Sequence, residues 1–508
     1  MTSQLGENIY LTIIITIFII SIPTLVLVFY TRNSKPPLPP GPYGLPLVGY
    51  LPFLNPQLHQ TFTKMSHKYG PIFSLRLGTK LHVVVNTMDL VKVVTRDLDQ
   101  TFSTRDPPLT ALSITYGGLD VAFSSHKHWR DMRKLLVSQV LSNANLDASR
   151  CFRTNGVRKT VNDVYSRIGT EINVNKVAYD TEMNIVTNML WGCSKVNDDS
   201  SDVGDGFQEV AFKIMELVAA PNISDFIPML SQFDLQGRQR EMLKLKEHID
   251  RIFENVIRGR IDANSRKMEK DERRDFLQIL LDEKDDPTSS IDINQIKALL
   301  VDVMIGTTDT TSTMVELVMA EILYNPRVMT KVQEELTDVV GMNNIVEESH
   351  LSKLTYLDAV IKETFRLHPA FPLLVHRCPD ESCMVGGYTI PKGTIVFMNA
   401  WAIHRDPKNW TNPLEFNPER FLDTKWDYKG NSFKFLPFGS GRRICPGAPL
   451  GEKMLMNLVA SFLHSFDWSL PKDEDFDLSE KFGGLVMKKR KPLIAIPSPR
   501  LSDASLYL

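Results

Sequence analysis

The chain has 508 residues, of which 43% are hydrophobic and 23% charged, and its formal net charge is −2. Such a composition is that of an ordinary globular protein, and it excludes wholesale disorder and a membrane protein with many spans. The balance of 58 basic and 60 acidic residues argues against nucleic-acid binding as the main function. The first thirty residues, however, differ sharply from this average.

The chain begins with an uncharged apolar segment, residues 9–30, that is long enough to cross a bilayer as one helix. A cleaved signal peptide is the alternative, but the acidic Glu7 precedes the segment and no small-residue cleavage site follows it. We therefore predict a retained membrane anchor over residues 1–30. Because Arg32 and Lys35 follow the anchor, the positive-inside rule places the rest of the chain in the cytosol.

Residues 31–46 are rich in proline and glycine and are predicted to form a stiff, extended hinge. Two strands are predicted next, at 72–77 and 81–85, around a turn at Gly78. Beyond residue 88 the apolar periodicity is mostly helical, with helices predicted at 130–142, 205–218, 238–262, 292–323 and 351–367. Strands return at 384–390 and 394–398. These elements predict a mainly α fold with a small β portion, in which residues 47–508 form a single large domain.

The most informative segment is residues 435–458. Five of its residues fit the pattern F-x-x-G-x-R-x-C-x-G, namely Phe438, Gly441, Arg443, Cys445 and Gly447. Pro446 suits the first position of a helix, so Cys445 is predicted at a helix N-terminus, where the helix dipole favours a thiolate. A thiolate there suits a soft metal or haem iron. A buried structural cysteine is the alternative, and we keep that interpretation for the other four cysteines.

This pattern resembles the haem-binding loop of the cytochrome P-450 monooxygenases. The resemblance implies that Cys445 is the axial ligand of haem b iron. It further implies that Arg443 pairs with a haem propionate, that Phe438 packs near the thiolate, and that Gly447 belongs to the cofactor-binding loop. The resemblance extends over nearly the whole chain. It is strongest to the plant microsomal branch of the family, and within that branch to members that oxidise sesquiterpenes.

Two further pairs gain meaning from the resemblance. Trp129 and Arg133 fit W-x-x-x-R, which alone predicts no more than a surface cation–π pair. The resemblance implies that they hold a haem propionate. It implies the same role for His376 and Arg377.

Glu363 and Arg366 lie one helical turn apart, a spacing that usually marks a weak surface ion pair. In the family this pair binds an arginine of a later P-E-R-F segment, which here supplies Arg420. We interpret the three residues as structural. Since breaking a buried charge network costs several kcal/mol, loss of Glu363 is expected to abolish haem incorporation.

The helix predicted at 292–323 carries a run of hydroxyls and one carboxylate within residues 305–313. Polar groups inside an apolar helix are costly unless they are used. A solvent-facing side and hydrogen bonds back to the helix are the alternatives. The resemblance implies that Asp309 and Thr310 are the acid–alcohol pair that relays protons to dioxygen. Thr307 stands where the family usually has a second glycine.

The resemblance implies a monooxygenase that uses haem, dioxygen and NADPH-derived electrons. The expected partners are NADPH–cytochrome P-450 reductase, the lipid bilayer and a small lipophilic substrate, with no nucleic acid. The expected location is the endoplasmic reticulum membrane, with the catalytic domain facing the cytosol. A haem-thiolate isomerase or dehydratase and a non-enzymatic haem-binding membrane protein are the alternatives, and Asp309 with Thr310 argues against both.

The segments where the family places its substrate pocket fall near residues 103–125, 205–235, 298–310, 369–375 and 482–487, and their mostly apolar side chains favour a terpenoid substrate. Within that class, the overall resemblance to members that oxidise sesquiterpenes favours a sesquiterpene. A flavonoid or other phenolic is the second choice. The candidate lining residues share an apolar side chain and would serve equally well as core. They are Phe102, Leu112, Ile114, Phe123, Phe207, Leu217, Met304, Phe371, Leu373, Leu374 and Leu485.

Overall fold

The computed structural model describes residues 37–192, 201–265, 275–423, 425–472, 477–483 and 486–508. The predicted anchor at residues 1–30 and the first part of the hinge lie outside these ranges. Among the helices within them, none combines the length and the apolar character that a bilayer crossing requires.

Most of the described chain is α-helical. The helices are α1 (Leu58–Tyr69), α2 (Met88–Lys92), α3 (Leu109–Ile114), α4 (His126–Leu135), α5 (Asn143–Ala148), α6 (Arg150–Tyr165), α7 (Val174–Trp191), α8 (Ser201–Ala219), α9 (Ile223–Phe226), α10 (Arg238–Ser265), α11 (Phe276–Asp285), α12 (Ile293–Tyr324), α13 (Pro326–Val339), α14 (Glu348–Leu351), α15 (Thr355–Leu367), α16 (Ala400–Ile403) and α17 (Ala448–Ser465). The five predicted helices correspond to α4, α8, α10, α12 and α15. Two of them are shorter than predicted, because α4 passes into a π-helical turn over Leu136–Val140 and α15 is separate from α14.

The strands form a minor part of the fold. They are β1 (Ile72–Leu77), β2 (Lys80–Val85), β3 (Ile172–Asn173), β4 (Cys383–Val385), β5 (Tyr388–Ile390), β6 (Ile395–Met398), β7 (Phe466–Ser469), β8 (Glu480–Gly483), β9 (Val486–Lys489) and β10 (Ile494–Pro499). In one sheet β2 lies between β1, its antiparallel neighbour, and β6, which runs parallel to it; in another β10 lies between β3 and β7. Strands β4–β5 and β8–β9 form two separate hairpins. The predicted turn at Gly78 is confirmed, with a left-handed φ of +60°.

The described part of the hinge is extended and lies against the strands. The Ser74 N–H in β1 donates to the Pro40 carbonyl at 2.8 Å, and the Thr389 N–H in β5 donates to the Pro37 carbonyl at 3.1 Å. A Cβ at Gly41 would lie 1.7 Å from the Ser74 carbonyl oxygen, so only glycine permits this approach. Backbone hydrogen bonds therefore fix the end of the hinge to the body of the protein.

Helix α12 passes through the core and carries the run of hydroxyls. It begins with a capping box, in which the Asp292 carboxylate accepts from the Gln295 N–H and the Gln295 side chain accepts from the Asp292 N–H, each at 2.8 Å. Most of the helix from Ile296 to Ile322 is buried, yet Gly306 is exposed and Thr310 is half-buried. Since the helix is buried on either side of these residues, we infer that its middle borders a space inside the fold.

A buried charge network joins α15 to the short turn Pro418–Phe421. The two Glu363 carboxylate oxygens accept hydrogen bonds from Arg366 Nε at 2.7 Å and Nη2 at 2.9 Å. Arg420 Nε and the Asn417 N–H donate to Glu363 Oε1 at 3.0 and 2.8 Å. The side chains of Glu363 and Arg366 are both 0% exposed. The predicted triad is confirmed, and a solvent-exposed surface pair is excluded.

Arg366 also fixes the irregular chain that follows β6. Its Nη1 donates to the carbonyls of His404 at 2.8 Å and Pro413 at 2.6 Å, and its Nη2 donates to the Glu415 carbonyl at 3.2 Å. The guanidinium carbon lies 5.3 Å from the centre of the Trp410 ring. One ion pair therefore determines the path of the chain leading to the cysteine-containing segment at 435–447.

Glu363→Gln is expected to destabilise the protein by about 3 kcal/mol or more, because two arginines lose the buried charge that balances them. Thermal unfolding and the yield of haem-bearing protein measure the effect. The matched control is Glu415→Gln, which changes an exposed carboxylate in the same region. Equal stability of the two variants would contradict the structural role of the network.

Candidate active site

Residues 435–447 form a tightly constrained loop, named here the cysteine loop. The Cys445 N–H donates to the Phe438 carbonyl at 3.0 Å and closes the loop around a 3₁₀ turn at Gly441–Arg443. Gly441 has a φ of +68°, and a Cβ there would lie 2.0 Å from the Thr95 carbonyl oxygen. Helix α17 begins directly after the loop, with Gly447 as its N-cap. The prediction that Pro446 is the first residue of this helix is wrong, because the helix begins two residues later, at Ala448. Cys445 nevertheless lies close to the helix N-terminus, as predicted.

The Cys445 side chain has accessible surface although it is surrounded by protein, so this surface faces the interior space. Burial raises the pKa of the Cys445 thiol. The backbone N–H groups of Gly447 and Ala448 and the Arg133 guanidinium act in the opposite direction. The helix start was expected to favour the thiolate, but burial has the larger effect on the thiol pKa and favours the neutral thiol. A coordinated metal ion would deprotonate the thiol outright.

Phe438 packs beside the start of α17. Its ring centre lies 5.3 Å from that of Phe365 on α15 and 5.6 Å from that of Tyr428. A Cβ at Gly451, in the first turn of α17, would be 4.0 Å from the Phe438 ring. The aromatic ring thus fills the corner between two helices and the cysteine loop.

Arg443 connects the cysteine loop to the segment before α4. Its Nε donates to the Ser103 carbonyl at 2.7 Å and its Nη1 to the Val121 carbonyl at 3.2 Å, and its Nη2 donates to the Ser124 carbonyl. A guanidinium has five N–H donors, so donors remain for a further acceptor. The Arg443 guanidinium also lies 4.0 Å from the centre of the Trp129 ring. Trp129 is buried, which excludes the surface cation–π pair that its motif alone predicts.

Four arginines lie close enough together to influence one another. Burial, and then the charges of the other three, lower the pKa of Arg443 to about 8. Burial and the charge of Arg377 lower the pKa of Arg105 to about 9. Burial lowers the pKa values of Arg133 and Arg377 as well. We name Arg105, Arg133, Arg377 and Arg443 the guanidinium cluster.

The guanidinium cluster has the properties of a site for a buried anion. Its nearest carboxylates are Asp99 and Asp120, which are fewer than the arginines. Two buried donors, Arg105 Nε and Trp129 Nε1, have no hydrogen-bond partner among the described residues. Buried donors normally have partners, so these two are suited to an acceptor on a bound molecule.

Arg105 was not predicted as a site residue. It lies within the segment 103–125, which the sequence marked only as an apolar pocket segment, and no spacing pattern singles it out. Arg105 Nη1 donates to the His376 carbonyl at 3.1 Å, so it lies beside two residues that were predicted. A basic residue in an otherwise apolar pocket segment is the only signal that the sequence offered.

His376 and Arg377 differ in what they contribute. Arg377 Nη1 donates to Asp99 Oδ1 at 2.9 Å and its Nη2 to the Ser440 carbonyl at 2.5 Å, so it supports the cysteine loop. His376 Nε2 lies 2.9 Å from the Asp106 carbonyl oxygen. Burial and the Arg105 charge lower the pKa of His376 to about 4, so its ring is neutral at pH 7. Any positive charge near His376 therefore comes from the arginines.

The hydroxyls of α12 largely bond back to the helix. Thr310 Oγ1 donates to the Gly306 carbonyl at 2.8 Å, and Thr308 Oγ1 donates to the Met304 carbonyl at 3.0 Å. A Cβ at Gly306 would have no neighbour within 4 Å, so this face of the helix is open. Thr307 is half-buried, and the helix continues through it without a break.

Asp309 and Thr310 do not contact each other through their side chains. The Asp309 carboxylate is turned towards β9, where its Oδ1 lies 2.5 Å from Lys488 Nζ. The Thr310 hydroxyl instead bonds to the helix backbone. The predicted acid–alcohol pair therefore consists of two residues that are adjacent in the chain but whose side chains have different partners.

The predicted pocket lining divides into two groups. Five of the residues are buried in the hydrophobic core, namely Phe102, Ile114, Leu217, Met304 and Leu373. Four others keep accessible surface and are candidates for substrate contact, namely Leu112, Phe123, Phe371 and Leu374. The side chains of Phe207 and Leu485 lie outside the described residues.

The residues present fit a haem. A thiol at a helix start offers a ligand for iron, and the guanidinium cluster offers cationic partners for two carboxylates on the same molecule. The family described as Cytochrome P450 matches residues 39–496. The chain belongs to this family.

Relatives and solved structures agree with this assignment. The chain is 36% identical to a geraniol 8-hydroxylase of Catharanthus roseus, over 96% of this chain and 99% of the relative. It is 37% identical to a flavonoid 3'-monooxygenase of Crocosmia x crocosmiiflora, over the same shares of the two chains. A zebra fish cytochrome P450 solved with progesterone matches with a TM-score of 0.75 and 26% identity, over 88% of this chain and all of the other.

The protein is therefore a cytochrome P450 monooxygenase with the mainly helical fold of its family. It uses haem, dioxygen and electrons from NADPH, as its family does. The predicted mainly α fold with a small β portion, the enzyme class and the cofactors are confirmed.

Arg443→Gln is expected to weaken haem retention about tenfold or more, the contribution of one charge-assisted hydrogen bond. Transfer of haem to an excess of a scavenging globin measures this. Arg442→Gln is the matched control, because Arg442 is the adjacent residue and its side chain is half-exposed. If both variants retain haem equally, Arg443 has no part in holding it.

Proposed function

We propose that this cytochrome P450 hydroxylates a small lipophilic terpenoid, a sesquiterpene being the first choice. The observation that carries the proposal is the apolar character of the accessible residues assigned to the pocket, among them Phe123, Phe371 and Leu374. Such a lining suits a hydrocarbon skeleton better than a polyhydroxylated ring system, whose hydroxyls would need buried partners. The similarity to a geraniol 8-hydroxylase supports the same substrate class, since geraniol is a terpenoid alcohol.

We assign the cofactor-binding residues as follows. Cys445 is the axial ligand of the haem iron, and bound haem supplies the activation of dioxygen. Trp129, Arg133 and Arg443 hold the propionates, together with the newly found Arg105. The remaining cofactor-binding residues support this arrangement; they are His376, Arg377, Phe438 and Gly447.

Asp309 and Thr310 are proposed as the proton relay. The reaction places one oxygen atom of dioxygen in a new hydroxyl group and releases the other as water, which requires two electrons from NADPH and two protons. Thr310 faces the open side of α12 beside Gly306, where it supplies the hydroxyl proton. Asp309 takes a proton from solvent and passes it to Thr310, because a general acid must regain the proton it has donated.

The membrane anchor and the reductase belong to the same proposal. The uncharged segment 9–30 and the basic residues that follow it favour a single-pass anchor in the endoplasmic reticulum membrane, with the body in the cytosol. A membrane-bound NADPH–cytochrome P-450 reductase would then supply the electrons. Removal of residues 1–30 is expected to move most of the protein from the membrane pellet to the supernatant. An unchanged distribution would reject the anchor as the main attachment.

Flavonoid hydroxylation is the second candidate. It is favoured by the 37% identity to a flavonoid 3'-monooxygenase, which is as high as the identity to the geraniol hydroxylase. Identity therefore does not separate the two substrate classes, and the pocket lining is the reason for preferring the terpenoid.

The deciding experiment supplies reductase-containing membranes with a panel of sesquiterpenes, geraniol and a panel of flavonoids. We expect NADPH-dependent hydroxylation of at least one terpenoid, detected by mass spectrometry as a gain of one oxygen atom. The control is the same membranes carrying Thr310→Ala, for which we expect product per NADPH to fall about tenfold or more. Turnover of flavonoids alone would overturn the terpenoid proposal.

A further inference from the structure

Asp309 is bound to a lysine on a different part of the fold. Lys488 Nζ lies 2.5 Å from Asp309 Oδ1, and the two side chains are only 16% and 8% exposed. Lys488 is the one cation within ion-pair distance of Asp309 among the described residues. A nearly buried ion pair must be held in good geometry if its interaction is to balance the loss of hydration. The position of the acid therefore depends on the position of the lysine.

The lysine belongs to the hairpin β8–β9, where Lys488 lies opposite Lys481. This hairpin includes part of the segment 482–487 that was assigned to the substrate pocket. The Lys488 ammonium also lies 4.9 Å from the centre of the Phe212 ring on α8, another element assigned to the pocket. The Lys488 ammonium, which the hairpin carries, therefore contacts both the acid of α12 and an aromatic ring of α8.

The ion pair lies within one helical turn of Gly306, since Asp309 follows Gly306 by three residues on α12. Tyr179 on α7 bonds to Thr308, and burial together with the charge of Asp309 raises the pKa of Tyr179 to about 12. The Lys488 side chain is 16% exposed, so solvent reaches the lysine. Lys488 thus stands between solvent and the acid that is proposed to replenish Thr310.

We propose that Lys488 is a positioning residue that holds Asp309 in the proton path and links that path to the substrate-contacting segments. The inference rests on the proposed role of Asp309. In each proton delivery, Asp309 takes one proton from solvent and passes it to Thr310, and the resulting carboxylate pairs again with the ammonium. Lys488 keeps its own proton throughout. A substrate that displaces the hairpin or α8 also displaces the lysine, so the position of the acid depends on how the pocket is filled.

The test compares Lys488→Met with Lys488→Arg, Asp309→Asn and the double variant Asp309→Asn/Lys488→Met. Lys481→Met is the matched control, because it removes an exposed lysine from the opposite strand of the same hairpin. For each protein, product formed per NADPH oxidised is measured on the panel compound that the wild type converts fastest. Substrate affinity by spectral titration and haem content by the carbon monoxide difference spectrum are measured beside it.

Lys488→Met is expected to lower product per NADPH about threefold or more, with Lys488→Arg restoring most of it and substrate affinity changing less than twofold. In the Asp309→Asn background, Lys488→Met is expected to have no further effect, because the lysine acts through the acid. If Lys488→Met lowers haem content, Lys488→Gln takes its place in the same comparison.

The inference is overturned if Lys488→Met forms as much product per NADPH as the wild type, or if Lys488→Arg forms as little as Lys488→Met. It is also overturned if Lys488→Met lowers product per NADPH further in the Asp309→Asn background. A wild-type protein that converts no panel compound instead rejects the proposed function. The two failures are therefore distinguishable.

Discussion

The guanidinium cluster is the interaction on which the rest of the site depends. Four arginines within one buried region repel one another, and burial together with this repulsion lowers the pKa of Arg443 to about 8 and of Arg105 to about 9. Such an arrangement is stable only where anions and backbone carbonyls surround it. The protein supplies some of both, through Asp99 and the carbonyls that Arg443 binds. In the proposed haem site, the carboxylates of the haem supply the remainder.

The fold brings these charges together from distant parts of the chain. Arg105 precedes α3, Arg133 lies on α4, Arg377 lies between α15 and β4, and Arg443 lies in the cysteine loop. The same loop places Cys445 at the start of α17, where Arg133 influences its thiol. One short, glycine-dependent loop therefore carries both Cys445, the proposed ligand of the haem iron, and Arg443, a proposed partner of the haem carboxylates. The buried network of Glu363 and Arg366 fixes the path of the chain that leads into it.

Much of this arrangement could be predicted from the sequence, because the decisive contacts are encoded locally. The pattern around Cys445 contains the glycine that a close backbone approach requires, and Glu363 and Arg366 have the spacing of one helical turn. The helices and the β1–β2 turn followed from apolar periodicity and from Gly78. Family resemblance then supplied the roles that periodicity could not.

The remainder depends on contacts between residues far apart in the chain, for which a single sequence carries no pattern. Arg105 joins the guanidinium cluster only because its segment folds back onto Arg377. Burial raises the pKa of Cys445, which the helix start alone does not reveal. The partner of Asp309 is Lys488, almost two hundred residues away, and nothing in the local sequence of either residue indicates the other.

The claim that Cys445 binds haem iron as a thiolate is central, because the guanidinium cluster, the proton relay and the lysine that positions it all serve that centre. The carbon monoxide difference spectrum of reduced membranes tests it most directly. We predict the red-shifted Soret band of thiolate ligation for the wild type and its loss in Cys445→Ser. Absence of the band in the wild type, or its persistence in Cys445→Ser, would contradict the account.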